Sequence, residues 1–536
     1  MKELSKKILF SISYTFSFFI FTIFFLLVNL QFKDIKLNPV TPIINKILIS
    51  KKVINQNMRL NRISIFFERK SNKLKINSNL IILEPSFDKW MLGLTNYLAI
   101  NLDLSKHEED FITFKISNLI DLSQKKERIK KFNFYGDLII VEDSYKILLT
   151  GEAENLPLSV IKILWPENLG KGAREWTVKS LYNGSIKRLD IKSDFLISKE
   201  GYLEGKPTLD LDFTFINIDT FYLKDLPPIK ETEGVGHLDF NSFHIILDRG
   251  IIELDDKSVV KLDAGRFDAF EIRKKHGPAQ VKINSSANTG YFFQLLSEHK
   301  KIKKLIHLDE KILNGDGVLN LQFNFPLKKD LKFSETETIL NLISKELKIY
   351  NMDKEESILG KSVNLKLSNH KNKKGYFYGT IKADKLKILQ LPIFAQILDI
   401  SLPGLTNISD GGRDISFSKS LIGFELSYKN IEILEAVIKP ESNLPVIGNS
   451  LGITLSGNYI IESKYADFSG TIVPVSWINN LPSNVPILGE LFSGSKEGEG
   501  LFGVKFSVLK ENENDLKIKA NPLSILTPGI FQRIFD

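Results

Sequence analysis

Four groups of residues have types and spacings that could carry chemistry. The stretch "GNSLG" at 448–452 has the G-x-S-x-G form that would make Ser450 a hydrolase nucleophile. Such an elbow needs a strand before it, a helix after it, and an acid and then a histidine later in the chain. Here the strand-like "ITLSGNYII" follows, and the last histidine of the chain is His370, so a glycine-flanked turn accounts for the motif better. "GEGLFG" at 498–503 matches a phosphate-cradling G-x-G-x-x-G, but it opens a strand-like run, whereas amide N–H groups converge on an anion only at a helix N-terminus. The seven histidines, His107, His237, His244, His276, His299, His307 and His370, lack H-E-x-x-H spacing and any partnering cysteine, because the chain has none. His237 and His244 sit in alternating sequence and read as surface or turn residues. The acidic pairs Asp255/Asp256 and Glu355/Glu356 lie in lysine-rich polar loops and read as solvated charge. These residues therefore predict no enzyme: no catalytic group, no metal site and no cofactor.

The elements that would have to position a site are overwhelmingly strand-like. In "PTLDLDFTF", Leu209, Leu211, Phe213 and Phe215 alternate with Asp210, Asp212 and Thr214. In "GVLNLQFNF", Leu319, Leu321, Phe323 and Phe325 alternate with Asn320, Gln322 and Asn324, and Phe502, Val504, Phe506 and Val508 repeat the pattern near the C-terminus. Period-2 alternation gives a strand one apolar and one wet face, the mark of antiparallel sheet. An irregular echo, "FYGDLII", "FYGTIKA", "LSGNYII" and "FSGTIVP", places a glycine inside such runs, as where a sheet bends or another chain segment approaches closely. Helical spacing is confined to 156–184, read as two short helices around Trp165-Pro166, and to 288–306 and 386–400. By itself the alternation fits the closed core of a β-sandwich better than an open face.

The 536 residues are 43% hydrophobic and 25% charged, which suits a folded protein of two or more domains. The excess of 72 Lys and Arg over 64 Asp and Glu is spread evenly along the chain, which argues against a nucleic-acid partner. From Ile8 to Phe32 there is no charge, with Lys2, Lys6 and Lys7 before it. A helix rising about 1.5 Å per residue could cross a ~30 Å hydrocarbon layer over this length. The run exceeds a signal-peptide core and no small-x-small cleavage site follows, so it reads as an uncleaved single-pass anchor.

Two stretches are more specific. "LWPENLGKGAREWTVKSLYNGSIKRLDIKSDF", 164–195, resembles the central signature of AsmA-like proteins of the YhdP-type branch. The last ~150 residues, above all "GTIVPVSWINNLPSNVPILGELFSGSKEGEGLFGVKFSVL" and "NPLSILTPGIFQRIFD", resemble that family's C-terminal domain. The resemblance implies a mainly β fold, an extended and curled antiparallel sheet forming an apolar groove, with a few short helices and one N-terminal transmembrane helix. It implies a bridge-like carrier of phospholipid in the bacterial periplasm, anchored in the inner membrane through 8–32 and delivering toward the outer membrane. On that reading the segments are a cytoplasmic 1–7, the anchor 8–32, an N-terminal β region 33–155, a central groove region 156–330 and a C-terminal domain 331–536. The groove-lining candidates are Leu209, Leu211, Phe213, Phe215, Leu319, Leu321, Phe323, Phe325, Phe502, Val504 and Phe506.

At the chain's end, Asn521-Pro522 would stop the last strand, and Thr527-Pro528 would start a short helix carrying Ile530, Phe531, Ile534 and Phe535 on one side. That helix is either a lid over the last sheet edge or a tip touching the outer membrane or a protein partner there. The competing function is an assembly or scaffold factor for outer-membrane proteins, using the sheet edge or this end to hold a partner.

Overall fold

The computed structural model describes residues 35–50, 58–68, 73–83, 97–108, 110–121, 129–165, 171–198, 203–223, 226–298, 312–328, 335–350, 356–369, 373, 375–389, 415–440, 451–474, 501–512 and 515–526. Over these residues the chain is mainly β, one long antiparallel sheet with few and short helices. No pairing among the described residues joins the last strand back to the first, so the sheet is not closed. No helix among them is long and apolar enough to cross a membrane; residues 8–32 lie outside the described set.

The chain divides into two compact units. The first comprises residues up to Thr220 together with Glu231–Ile245, and the second Phe221–Lys230 and residues from Ile246 onward. In the first unit the strands are β1 (Ile35–Lys36), β2 (Met58–Glu68), β3 (Lys73–Leu83), β4 (Tyr97–Glu108), β5 (Phe111–Asp121), β6 (Lys131–Val141), β7 (Ser144–Pro157), β8 (Leu181–Tyr182), β9 (Ser185–Ser198), β10 (Leu203–Thr220) and β11 (Ile229–Asp239). Strands β2 to β7 pair each with the next, β9 pairs with β7 and β10, and β8 pairs with β10. Three helices accompany them: α1 (Thr41–Ser50), α2 (Leu158–Leu164) and α3 (Lys171–Ser180).

β11, through Ile229 and Lys230, and β12 (Ser242–Glu253) are divided between the units, and the second unit continues with β13 (Val259–Phe270), β14 (Pro278–Asn288), α4 (Thr289–Glu298), β15 (Leu313–Pro326), β16 (Glu337–Tyr350), β17 (Glu356–Asn369) and β18 (Phe377–Ile388). It ends with β19 (Ile415–Leu426), β20 (Asn430–Pro440), β21 (Leu451–Ile460), β22 (Tyr465–Pro474), β23 (Leu501–Asn512) and β24 (Asp515–Leu526). From β13 to β24 every strand pairs antiparallel with its successor. Such a meander follows from long alternating runs joined by tight turns. At Asp239, for example, the carboxylate accepts the N–H groups of Asn241 and Ser242, both at 2.6 Å, and closes the turn into β12.

Two expectations from the sequence are corrected. Asn521-Pro522 does not stop the last strand: β24 runs on to Leu526 across a register shift, Asn521 facing Lys505 and Ser524 facing Gly503. Proline donates no N–H to a ladder, and a bulge in a strand that, among the described residues, has one partner accommodates that loss. Of the segment 386–400, Leu386, Lys387 and Ile388 are the end of strand β18 and not a helix, while 390–400 lie outside the described residues. The helices expected in 156–184 form between Leu158 and Ser180, and the described part of the one expected at 288–306 starts at Thr289 and runs to Glu298, with 299–306 outside the described residues. After α3 the chain turns through Asn183 and Gly184, with φ of 55° and 67°.

Within the strands, several residues other than glycine adopt left-handed φ: Arg62, Asn155 and Asn217 in the first unit, Glu346 and Lys385 in the second. Arg62 and Glu346 sit where the register shifts, against β3 and β15 respectively. One left-handed residue in an extended run bends the strand and increases its twist.

Candidate functional site

Residues opposite one another on antiparallel strands project to the same face, so register turns separate alternations into rows that cross the sheet. In the first unit one row runs Leu102, Ile116, Phe134, Gly151, Ile191 and Leu211 across β4, β5, β6, β7, β9 and β10. A parallel row links Phe132, Ala153, Leu189 and Phe213. The other face carries Asp103, Lys115, Tyr135, Thr150, Lys192 and Asp210 in equivalent register. In the second unit Leu319, Leu342, Leu365, Ile381, Ile422 and Ala436 form one row over β15 to β20, which Leu455, Gly470, Phe506 and Ala520 continue over β21 to β24. Asn320, Asn341, Lys366 and Thr380 lie opposite.

Of the candidate lining residues, Leu209, Leu211 and Phe213, and Leu319, Leu321, Phe323 and Phe325, are all partly exposed on the apolar face. Phe215 is instead buried, in a cluster with Leu156, Leu158, Val160, Ile186 and Ile218 that packs α2 against the strand ends. Phe506 is buried in a second cluster with Phe417, Ile453 and Ile472. Phe502 and Val504 lie on β23, with backbones in register with Ile525 and Ile472. Ser450 of the "GNSLG" motif and the tip residues Ile530, Phe531, Ile534 and Phe535 lie outside the described residues.

Three glycines of the echo lie beside an aromatic ring. A Cβ on Gly379 would meet the Phe424 ring at 2.2 Å, one on Gly136 the Leu148 carbonyl oxygen at 1.9 Å and the ring of Phe114 at 2.8 Å, and one on Gly470 the Thr454 carbonyl oxygen at 2.1 Å and the ring of Phe506 at 2.7 Å. Gly151 under Phe134 and Gly236 under Phe213 repeat the arrangement outside the echo. An aromatic ring lying across a glycine on the neighbouring strand covers bare backbone with apolar surface and keeps the strand paired. Close approach accounts for these glycines, whereas the fourth glycine of the echo, Gly457, has a φ of 151° beside the register shift between β20 and β21.

The signature "LWPENLGKGAREW" has a structural account. The Arg174 Nε–H donates to the Trp165 carbonyl at 2.9 Å, and the Lys162 ammonium donates to the carbonyls of Val178, at 3.0 Å, and Leu181. Two cations thus tie α2 to α3 and satisfy carbonyls at the end of α3. Burial lowers the pKa of Lys162 from the ordinary lysine value. At the end of α4, burial, with Asp255 and Asp256 nearby, raises the pKa of Glu298 above the usual carboxylate value.

A cleft of about 920 Å3 in the first unit is lined by Lys75, Asp103, Lys115, Lys192 and Asp194 as well as Phe66, Phe114 and Leu148. Its charged walls suit water better than an acyl chain. On the same face His237 Nδ1 lies 2.8 Å from Oδ1 of Asp212 and 3.7 Å from Oδ1 of Asp210, so three atoms able to ligate a cation come within 4.8 Å of one another. These side chains are 39% to 65% exposed, and an imidazole bridging two carboxylates accounts for the geometry. His237 lies on β11 and His244 on β12, their rings stacked with centroids 6.4 Å apart. The apolar rows combine buried side chains, Phe132, Ala153, Leu342, Ala436 and Phe506, with partly exposed ones, among them Leu211, Leu319 and Leu365. The chain matches no known family model and no curated protein.

Proposed function

We propose that the protein carries phospholipid along the apolar face of its sheet, anchored in the bacterial inner membrane by residues 8–32, with the bulk of the chain in the periplasm. The observation that carries this reading is the set of in-register apolar rows, present in both units, in which buried members such as Ala153 and Leu342 stand beside partly exposed ones such as Leu211, Leu319 and Leu365. Holding an acyl chain of about 16 carbons in water costs on the order of 10 kcal/mol at ~0.8 kcal/mol per CH₂. A moving lipid therefore needs a lining that stays apolar from strand to strand, and the rows supply one. The resemblance of 164–195 and of the C-terminal stretches to AsmA-like proteins points the same way and adds the destination, the outer membrane.

A photo-crosslinking amino acid at Phe323 is expected to capture phospholipid in cells, and the same group at Asn324, on the opposite face, is not. Equal capture at both positions, or at neither, overturns the reading. Enrichment of outer-membrane assembly proteins at either position without lipid would replace it with the scaffold function.

A further inference from the structure

We propose that α1 is an interfacial helix, which rests its outer face on the surface of the same bilayer that residues 8–32 cross. The inference rests on the anchor reading of that segment and goes beyond it. The inner side of α1 is fixed by Asn45, a buried side chain whose Oδ1 accepts the N–H of Leu60 at 2.7 Å and whose Nδ2 donates to the Leu60 carbonyl at 3.0 Å. The amide takes the place of a neighbouring strand on β2 and sets the rotation of the helix about its axis. Thr41 is buried on the same side, its hydroxyl bonded to the Leu37 carbonyl at 3.0 Å.

That rotation turns Ile43 and Ile47, one helical turn apart, outward at 61% and 54% exposure, and Val40 beside them is 40% exposed. Lys46 and Ser50 share the exposed side. The partner of this stripe is named by charge and by distance. Between Asp34 and Glu68 there is no acidic residue, while Lys36, Lys46, Lys51, Lys52, Arg59 and Arg62 fall in that interval. Apolar side chains flanked by cations suit the headgroup and upper acyl region of an anionic bilayer. Only residues 33–40 separate the apolar run from the helix, and they cannot span more than ~28 Å at about 3.5 Å each. Part of that length is consumed by the pairing of Ile35 with Ile65 and by the 3-10 turn Asn38–Val40. The helix is therefore held near the membrane surface, with β2 attached to it.

The chain has no cysteine, so single cysteines can be labelled without background. Full-length protein would be reconstituted in vesicles of phosphatidylglycerol and phosphatidylethanolamine and labelled with an environment-sensitive fluorophore at one of four positions. These are Phe24 in the apolar run, Ile43 and Ile47 on the helix, and Tyr428, which is 66% exposed in the second unit. Lipids carrying a nitroxide just below the headgroup are expected to quench the label at Phe24, Ile43 and Ile47 and not at Tyr428. Replacing both Ile43 and Ile47 with Ser is expected to reduce quenching of a label at Ser50 to the Tyr428 level, with unchanged thermal unfolding. Quenching at Phe24 without quenching at Ile43 and Ile47 overturns the interfacial helix and leaves the anchor standing. Absence of quenching at Phe24 overturns the anchor reading itself. Protection of Ile43 and Ile47 from aqueous iodide without quenching by the lipid nitroxide identifies a protein cover and also overturns the proposal.

Discussion

At the scale of single residues, the glycines beneath aromatic rings decide how the apolar face is made. Replacing glycine with alanine in a strand normally stabilises by restricting the unfolded chain. At Gly379 the new methyl would meet the Phe424 ring, so Gly379→Ala is expected to destabilise by about 1–3 kcal/mol, the usual cost of overpacking. Phe424→Leu in that background should restore part of the loss, so the two changes will not add, and urea unfolding of the four proteins measures the coupling. These glycines were visible in the sequence at Gly136, Gly379 and Gly470, but the choice between bend and close approach was not. Only register shows which ring stands opposite, and register is a property of two strands. Gly151 and Gly236 went unnoticed for the same reason, since nothing in their own neighbourhood of sequence distinguishes them.

At the scale of elements, the period-2 runs were legible because one face is wetted and the other is not, and strands β10, β15 and β23 carry the expected alternation. The end of β24 was illegible because proline usually terminates a ladder, whereas here a bulge passes it. Among the described residues β24 pairs only with β23, and a proline at a bulge makes such an edge a poorer template for another strand. Pro522→Val is expected to straighten this edge and promote self-association, seen as a rise in mass by light scattering with increasing concentration. A variant that stays monomeric over the same range would show that the edge is blunted by other means. Helix α1 was missed altogether, although Thr41-Pro42 is a favourable helix start, because a ten-residue helix beside a long apolar run leaves little periodic signal. The pairing of Arg174 with Trp165 was equally hidden: the motif was readable as a signature, and its mechanical purpose emerged only from the geometry.

At the scale of the whole molecule, the proposed carrier function would have no single indispensable residue and would be spread over the rows in each unit. Leu365→Lys is expected to place a charge in the row between Leu342 and Ile381 and to slow transfer of a fluorescent phospholipid between donor and acceptor vesicles, with the melting transition retained. Lys366→Leu, its neighbour on the wet face, should leave transfer unchanged. Equal loss in both variants would mean that the sheet is needed only as a scaffold. The successor-to-successor pairing from β13 to β24 carries a further implication for how such a chain can change length. Adding or removing one strand would reverse the direction of everything after it, whereas a whole hairpin restores both chain direction and the inward or outward parity of each side chain. At about 4.8 Å per strand, the width of the β13–β24 sheet is therefore adjustable in steps of roughly 10 Å, and insertions or deletions that preserve its apolar rows should come in units of two strands.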